Sequence, residues 1–156
     1  MPVARIHTLE REQRLPASPE QVFAFFSDAG NLDAITPPWV GFRFITPLPI
    51  AMQKDARIQY QLRLAGVPLR WRTRIVTWDP PHSFLDVQES GPYALWEHLH
   101  QFEPCDGGVF MRDRVRYALP LGPLGALAYP LVRASLAAIF DYRFAAIRER
   151  FGDPWG

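Results

Sequence analysis

Residues 96–102 read WEHLHQF and residues 111–117 read MRDRVRY, with the pair Asp106-Gly107 between them. Both stretches alternate, and an Asp-Gly pair between two alternating runs is the strongest short signal for a β-hairpin. If this pair forms a two-residue loop, the register of the hairpin places His100 opposite Asp113. The rest of the chain can be interpreted outward from this hairpin.

One face of the predicted hairpin combines a histidine and an aspartate with large apolar side chains. Directly opposed side chains of antiparallel strands have Cβ atoms about 5 Å apart, so the register brings His100 beside Asp113. A polar pair in an apolar interior needs a structural or functional explanation. A three-residue loop would instead turn Asp113 to the opposite face. The members of this face are Trp96, His98, His100, Phe102, Met111, Asp113, Val115 and Tyr117.

The bulk properties limit the class of protein. A chain of 156 residues predicts one domain, residues 1–156, that is long enough to bury a core. The formal net charge of +1 gives no support for nucleic-acid binding through a basic surface. The single cysteine, Cys105, excludes an intramolecular disulfide framework. Residues 1–7 lack an apolar signal core, so we expect a cytoplasmic protein.

Upstream of the hairpin, the sequence predicts one strand and two short helices. The alternation of Ile6–Leu15 is typical of a strand with one solvated face. Ser18 is a good N-cap, with proline at the first helical position and Gln21 three residues after the cap, as in a capping box. The predicted helices are 19–28 and 31–35, and Thr36-Pro37-Pro38 ends the second.

Further strands precede the hairpin, and nearly all are joined by tight turns. Residues 54–64 alternate, with apolar side chains on one face and Arg and Gln on the other, which indicates a half-buried strand. An Ala65-Gly66 turn then leads into a second alternating run. With the first strand and the two arms of the hairpin, the chain has seven predicted strands in an antiparallel meander. The additional strands are 39–45, 54–64, 69–75 and 84–89.

After Pro120 the period of the apolar residues becomes helical. We expect a loop at Leu121–Gly125 and a helix from about Leu127 to Phe151, with Pro130 either starting the helix or kinking it. At 1.5 Å per residue this helix would be about 30 Å long, enough to cross the concave face of a curved sheet. Arg133 and Pro130 argue against a membrane span. The predicted buried stripe is Leu131, Ser135, Ile139, Tyr142 and Ala146, with Val132, Leu136 and Ile147 beside it.

This order of elements resembles the START-like/SRPBCC (helix-grip) superfamily, and within it the bacterial polyketide cyclase/dehydrase-like or CoxG-like single-domain group. The resemblance implies an α+β helix-grip fold: a seven-stranded curved antiparallel sheet around a long C-terminal α-helix, with two short helices after the first strand. The superfamily mixes binders, carriers and enzymes. The resemblance is carried by residues 19–26, Leu32 with 36–39, Trp71 with Ile75, 84–88, 91–93, 96–102, 113–117 and 140–143.

The resemblance also implies a deep cavity between the sheet and the long helix, occupied by a hydrophobic or aromatic small molecule. We therefore predict that inward-facing side chains of several strands and of the helix contact this ligand. Core packing is the alternative for the aromatic members of the set. The predicted ligand-binding residues are Tyr60, Trp71, Trp96, His98, His100, Phe102, Asp113, Tyr117 and Tyr142.

His100 and Asp113 are the candidate catalytic residues. A carboxylate beside a histidine fixes its tautomer and raises its basicity, as a general base requires. The same pair could instead satisfy itself or orient a ligand. His98 shares the face, and two histidines with one carboxylate can form a facial metal site. Because no clear further ligand is evident, we expect no metal and no other cofactor.

Several other polar residues have two possible roles. Asp86 and Gln88 share one face of a strand beside the hairpin and could face either the cavity or solvent. Arg143 could serve as an anion partner in the interior or pair with a nearby acid. Glu97 and Glu103 lie on the opposite face from His98, so we expect them to pair with the arginine row Arg112, Arg114 and Arg116.

Three functions are compatible with these observations. The first is a non-enzymatic binding protein for a hydrophobic, lipid- or polyketide-like molecule. The second is an aromatase/cyclase-like enzyme, in which His100 assisted by Asp113 abstracts a proton next to a carbonyl and Tyr117 donates to the enolate. The third is a membrane-associated lipid carrier or assembly factor that docks through 121–130, although membrane contact is not expected. The sequence has no phosphate loop, no Cys-x-x-Cys motif and no nucleophile elbow, and it leaves the oligomeric state open.

Overall fold

The computed structural model describes residues 4–64 and 66–152, and within them it contains seven β-strands and two α-helices. Two short 3-10 helices, Ala29–Ile35 and Pro38–Val40, follow the first α-helix. The strands are β1 (Ile6–Leu15), β2 (Arg43–Phe44), β3 (Arg57–Leu64), β4 (Val67–Asp79), β5 (Ser83–Ser90), β6 (Leu95–Cys105) and β7 (Gly108–Ala118), and the helices are α1 (Pro19–Ser27) and α2 (Pro123–Phe151).

The strands form one antiparallel sheet in the order β1-β7-β6-β5-β4-β3-β2. Strands β2 to β7 follow one another as a meander, and β1 closes the order by pairing with β7. The pairing of β4 with β5 shifts register near Thr73 and Thr77, and such irregularities bend a strand. The predicted α+β helix-grip architecture, a curved seven-stranded sheet with a long C-terminal helix, is confirmed.

The local signals around α1 and the hairpin are also confirmed. The Ser18 side chain accepts a hydrogen bond from the Gln21 backbone at 3.2 Å, and the Gln21 side chain accepts one from the Ser18 backbone at 3.0 Å. This capping box fixes the start of a helix that buries Val22 and three phenylalanines. Gly107 has a φ of +82°, as a tight two-residue loop requires, and His100 lies opposite Asp113.

The strand predicted at residues 39–45 is wrong for most of its length. Pro38–Val40 forms a 3-10 helix, and Gly41 follows it in the left-handed region with a φ of +61°. Only Arg43 and Phe44 pair with β3. The reason is local: Pro37 and Pro38 provide no backbone N–H for a ladder, and the left-handed glycine changes the chain direction. In the turn between β3 and β4, Gly66 has a φ of +78°, whereas Ala65 lies outside the described residues.

Helix α2 differs from the prediction in its start and in its buried face. It begins at Pro123, inside the segment predicted as a loop, and Pro130 lies within the helix rather than at its start. The predicted stripe through Leu131 is wrong, because this side chain is 72% exposed. The periodicity of apolar residues does not include Arg143, because this residue is charged. Arg143 nevertheless lies in the middle of the buried stripe. The buried members of that stripe are Gly125, Leu136, Phe140, Arg143 and Ile147.

Two hydrophobic clusters fill the interior between the sheet and the helices. The first, the phenylalanine cluster, is centred on Phe23, Phe84 and Phe102, whose rings lie 5.6–6.2 Å apart. The second contains Trp71 and Trp96, in perpendicular contact at 5.1 Å, and includes Leu136 and Phe140 of α2. The first cluster packs around α1, and both clusters contribute side chains to the wall of the interior space described below.

The outer face of the sheet carries exposed ion pairs. Arg116 Nη1 donates to Glu97 Oε2 at 2.8 Å, as predicted for the hairpin. Arg112 and Arg114 pair instead with acids of β1, because β1 lies against β7 and brings Glu12 and Glu10 within 3.1 and 2.6 Å. Exposed pairs of this kind contribute at most about 1 kcal/mol each, so they do not decide the fold.

Within the described part of the chain, α2 is the one helix long and apolar enough to cross a membrane by length and composition. Its mean hydropathy reaches 1.4 over an 18-residue window, and only 17% of that window is buried. The C-terminal half of α2 nevertheless packs inward through Phe140, Arg143 and Ile147. The apolar character that remains exposed therefore belongs to the N-terminal half.

Candidate functional site

A cavity of about 200 Å³ lies between the inner face of the sheet and α2. Side chains from α1, both 3-10 helices, strands β3 to β6 and α2 surround it. Most of the wall is apolar, and its aromatic members are Phe25, Phe26, Phe42, Tyr60, Trp71, Phe84, Tyr93, Trp96 and Phe140. A small group of polar side chains interrupts this wall at β5, β6 and α2.

Strand register explains why the polar side chains converge. Asp86 of β5 lies opposite His98 of β6, and His100 of β6 lies opposite Asp113 of β7. Positions 98 and 100 are two residues apart, so all four side chains emerge on one face of three adjacent strands. Helix α2 then places Arg143 over this face, one turn beyond Phe140. We call these five residues the polar cluster.

The buried pair is His98 with Asp113, in which the imidazole reaches the cavity wall and the carboxylate lies behind it. Nε2 of His98 donates to Oδ1 of Asp113 at 2.8 Å. Arg143 donates to both oxygens of the same carboxylate, at 3.4 and 3.3 Å. Burial by itself would raise the pKa of Asp113, but Arg143 and the hydrogen bond from His98 hold it well below its ordinary value. Asp113 is therefore an ionised carboxylate tied to a guanidinium.

The cavity pair, His100 with Asp86, lies at the cavity wall. Nε2 of His100 is 2.7 Å from Oδ2 of Asp86, and Nη2 of Arg143 is 3.4 Å from Nδ1 of His100. Arginine can only donate, so Nδ1 accepts and Nε2 carries the proton that points to Asp86. Burial, together with His98, lowers the pKa of His100 to about 4 despite the opposing effect of the two aspartates. His100 is consequently neutral at neutral pH.

The imidazole of His100 is also fixed by stacking. Its ring lies 3.7 Å from the ring of His98 and 4.0 Å from that of Phe84, with interplanar angles of 26° and 13°. On Asp86, burial would raise the pKa, but the hydrogen bond from His100 helps to lower it overall. The cavity pair is therefore a neutral imidazole that donates to an ionised carboxylate, held in one orientation by its neighbours.

The hydrogen-bond partners of His100 and Asp113, the predicted catalytic pair, differ from those predicted from the sequence. The register of His100 and Asp113 is as predicted, but each side chain bonds elsewhere: Asp113 to His98 and His100 to Asp86. Nδ1 of His100 remains 3.5 Å from Oδ1 of Asp113. Register fixes the positions of Cβ atoms, while a flexible side chain can reach a diagonal neighbour. Arg143, a long-range contact, helps to select this arrangement.

Of the nine predicted ligand-binding residues, five line the cavity and four do not. Those on the wall are Tyr60, Trp71, Trp96, His98 and His100. Phe102 packs in the phenylalanine cluster, and Asp113 lies behind His98. The ring of Tyr117 lies 5.4 Å from that of His7, and the ring of Tyr142 contacts that of Trp39 at 5.8 Å.

The wall residues that sequence reasoning missed or left open include Asp86, Tyr93 and Arg143. Asp86 faces the cavity, whereas Gln88, on the same strand face, bonds both backbone groups of Tyr93. That loop contact brings Tyr93 into the aromatic wall. The signal for Asp86 was its alternation with Phe84. Arg143 had no such signal, because a single arginine on a helix resembles a solvated residue.

Asp86, His98 and His100 each offer a ligand atom, and the three atoms lie within 4.8 Å of one another. Two histidines and one carboxylate are a donor set that binds transition metals. The hydrogen bonding does not fit an open metal site, however. Nε2 of His100 carries a proton because Nδ1 accepts from Arg143, and a guanidinium 3.4 Å from the same ring adds positive charge. As arranged, both imidazoles are engaged in hydrogen bonds within the protein.

Comparison with known proteins places the chain in a family. None of the curated proteins has a sequence that matches it. A protein from Thermus thermophilus has a similar structure, with a TM-score of 0.69 and 19% identity over 93% of this chain and 97% of that one. A Mycobacterium smegmatis START superfamily protein has a TM-score of 0.70 and 12% identity over 93% and 97% of the two chains.

A third similar structure is a norcoclaurine synthase point mutant from Thalictrum flavum, with a TM-score of 0.68 and 13% identity over 96% of this chain and 99% of that one. Similarities at these identities establish the fold alone. The sequence itself gives the family: residues 7–152 match the one described as polyketide cyclase / dehydrase and lipid transport. Because this match covers nearly the whole described chain, the protein belongs to the polyketide cyclase/dehydrase and lipid transport family.

Proposed function

We propose that this protein binds a hydrophobic or aromatic small molecule, lipid- or polyketide-like, in the cavity between the sheet and α2. The observation that carries the proposal is the cavity itself, whose wall is mostly apolar and aromatic and whose polar members include four residues of the polar cluster. Small-molecule sites typically combine such a wall with a few placed polar groups that fix orientation. The family description, which includes lipid transport, also supports the binding of hydrophobic ligands.

The geometry favours ligand positioning over proton abstraction. A general base needs a free lone pair and a pKa near the working pH. Nδ1 of His100 accepts from Arg143, Nε2 donates to Asp86, and the pKa of this imidazole is lowered to about 4. Tyr117, the predicted donor to an enolate, is not on the cavity wall. We therefore assign the polar cluster to orienting one end of the ligand.

A cavity-filling variant tests this proposal. Ile139 lines the cavity from α2, so Ile139→Trp places a bulky side chain in the space that the ligand would occupy. We expect this variant to lose at least about tenfold in affinity for the neutral dye Nile red. Leu131→Trp is the matched control, because it makes a similar change at an exposed position of the same helix.

Native mass spectrometry of freshly purified wild type would identify any retained apolar ligand directly. Two results together would reject the binding proposal: wild type without affinity for Nile red, and wild type without a co-purified ligand. Equal loss of affinity in Ile139→Trp and Leu131→Trp would place the dye elsewhere than in the cavity. Thermal unfolding of both variants checks that the fold persists.

A second candidate function, a carrier that docks on lipid, is favoured by one specific observation. Four leucines at the start of α2 and just before it are 66–80% exposed, namely Leu121, Leu124, Leu127 and Leu131. The chain contains no acidic residue between Arg114 and Phe140, so this apolar surface has no negative charge that would oppose an anionic bilayer. A helical segment that exposes apolar side chains can lie in the membrane interface.

Liposome flotation tests the docking function. We expect wild type to float with vesicles that contain phosphatidylglycerol, and the double variant Leu124→Ser/Leu127→Ser to remain at the bottom. Val67→Ser is the control, because Val67 is an exposed apolar residue on the sheet. Wild type that fails to float removes this candidate and leaves the binding proposal untouched.

A further inference from the structure

The polar cluster has unequal numbers of positive and negative groups. Asp86 and Asp113 are both ionised carboxylates, and Arg143 is the one permanent cation of the polar cluster. Arg143 donates to both oxygens of Asp113, so its charge is committed to the buried pair. The cluster therefore holds one more carboxylate than permanent cations, which leaves one negative charge without a permanent counter-charge. Burying such a charge without a partner is unfavourable.

The excess charge lies on the cavity side of the cluster. Asp86 lines the cavity and its side chain is 19% exposed, whereas the side chain of Asp113 is 5% exposed. The only other acid on the cavity wall in the described part of the chain is the exposed Asp28, and the only cation there is Arg143. The field in the cavity therefore favours positive charge.

One oxygen of Asp86 is poorly supplied with hydrogen bonds. Oδ2 accepts from His100 at 2.7 Å. The Thr73 hydroxyl lies 3.5 Å from Oδ1, but it has a single proton and a shorter contact, 3.0 Å, with the carbonyl of Val87. An ionised carboxylate can accept several hydrogen bonds. Oδ1 is thus an acceptor at the cavity wall that lacks a strong protein donor among the described residues.

The aromatic wall near Asp86 suits the same kind of ligand. His98 lies opposite Asp86, and Trp96 is the next residue on the same face of β6. On β4, Trp71 is the next same-face residue after Thr73, whose hydroxyl lies 3.5 Å from Oδ1 of Asp86. The ring of Tyr60 is 5.9 Å from that of Trp71. Burial and the nearby charge of Asp86 both raise the pKa of Tyr60. Electron-rich ring faces attract cations as well as apolar groups.

We propose that the ligand has a protonated amine at its polar end, and that the ammonium group donates to Oδ1 of Asp86 while its apolar body lies against the tryptophans. This inference rests on the proposed function and specifies the chemical class of the ligand. The ammonium group supplies a hydrogen-bond donor for Oδ1 of Asp86 and a positive charge that balances the cluster. A hydroxyl would supply only the donor, and a carboxylate neither.

Three probes with one ring system separate these cases: naphthylethylamine, naphthylethanol and naphthylacetic acid. We would measure their affinities by isothermal titration calorimetry at about pH 8, where the amine is protonated, with EDTA present so that no metal contributes. We expect the amine to bind at least about tenfold more tightly than the alcohol, and the alcohol more tightly than the acid. An acid that binds as tightly as the amine would overturn the inference.

Asp86→Asn removes the charge with almost no change in shape. We expect this variant to lose at least about tenfold in affinity for the amine and to stay within about threefold for the alcohol. Glu97→Gln is the matched control, since it makes the same charge change on the outer face of β6. If Asp86→Asn and Glu97→Gln weaken the amine equally, the preference comes from overall charge and the assignment to Asp86 is wrong.

The outcomes distinguish this inference from the function on which it rests. If Nile red and the alcohol bind but the amine has no advantage, the cavity binds ligands and only the ammonium assignment fails. If none of the probes binds and Nile red does not bind either, the proposed function fails together with the inference. A variant that unfolds would be recognised by thermal unfolding, and the ranking of the three probes on wild type alone still decides the question.

Discussion

The buried pair and the cavity pair contain the same two residue types on adjacent strands, yet they differ in every property that matters for function. Both imidazoles reach the cavity wall, but the Asp113 carboxylate is enclosed and tied to Arg143, whereas the Asp86 carboxylate borders the cavity and keeps one weakly bonded oxygen. The first pair is completed within the protein. The second has capacity left for a partner, so an inward-facing His–Asp pair is not by itself evidence of a site.

The largest effect should come from removing the cation that completes the buried pair. Arg143→Met leaves the Asp113 carboxylate buried beside two imidazoles, and breaking a buried ion pair costs about 3–5 kcal/mol. We expect this loss in the free energy of unfolding, measured with urea. Arg133→Met, at an exposed position of the same helix, should change stability by less than about 0.5 kcal/mol. If Arg143→Met lowers the free energy of unfolding as little as Arg133→Met, Arg143 is dispensable for the fold.

The second effect is a loss of stability in mild acid, caused by the cavity pair. A histidine in an unfolded chain titrates near pH 6.5, whereas burial lowers the pKa of His100 to about 4. As the pH falls between these values, the unfolded state binds more protons, so stability decreases by about 3 kcal/mol. Below this window the carboxylates act in the same direction, because the folded-state pKa values of Asp86 and Asp113 are lowered and their stabilisation is lost on protonation.

Denaturation curves between about pH 7 and pH 4 measure this dependence. His100→Gln should flatten the curve in that interval, because it removes the group that the unfolded state protonates. His82→Gln, an exposed histidine, should leave the curve unchanged. A His100→Gln curve as steep as that of wild type would contradict the assignment of acid sensitivity to the cavity pair.

A smaller effect is expected from neutralising the carboxylate of the cavity pair. Asp86→Asn keeps an oxygen that can accept from Nε2 of His100, so a charge-assisted hydrogen bond becomes a neutral one. The expected loss is about 1 kcal/mol, well below that of Arg143→Met. If both variants lose the same stability, the two pairs are energetically equivalent and the comparison between them fails.

The smallest effect should come from the outer face of the same hairpin. Arg116 and Glu97 form an ion pair at 2.8 Å, with side chains 47% and 31% exposed. Screening by solvent and salt limits such a pair to at most about 1 kcal/mol, and Arg116→Gln should cost less than that. A double-mutant cycle with Glu97→Gln would measure the coupling. A coupling as large as the effect of Arg143→Met would mean that burial does not distinguish the pairs.

Much of the architecture could be predicted from sequence because it depends on local signals. The Asp-Gly loop fixed the register of β6 and β7, and the capping box located α1. The predictions failed where a distant contact or a backbone constraint decided the outcome. Pro37-Pro38 and Gly41 shortened β2, and Arg143 rotated the buried face of α2. The partners of His98 and His100 depend on side-chain torsions and on Arg143, neither of which strand alternation contains.

The perpendicular contact between Trp71 and Trp96 at the cavity wall has a spectroscopic consequence. Two indoles 5.1 Å apart couple their excited states, so the pair should give a signed couplet in the circular dichroism of the folded protein. Because both rings line the cavity, an occupant that moves either one changes the amplitude of the couplet. The couplet therefore reports cavity occupancy without an added dye. Trp71→Phe should abolish it.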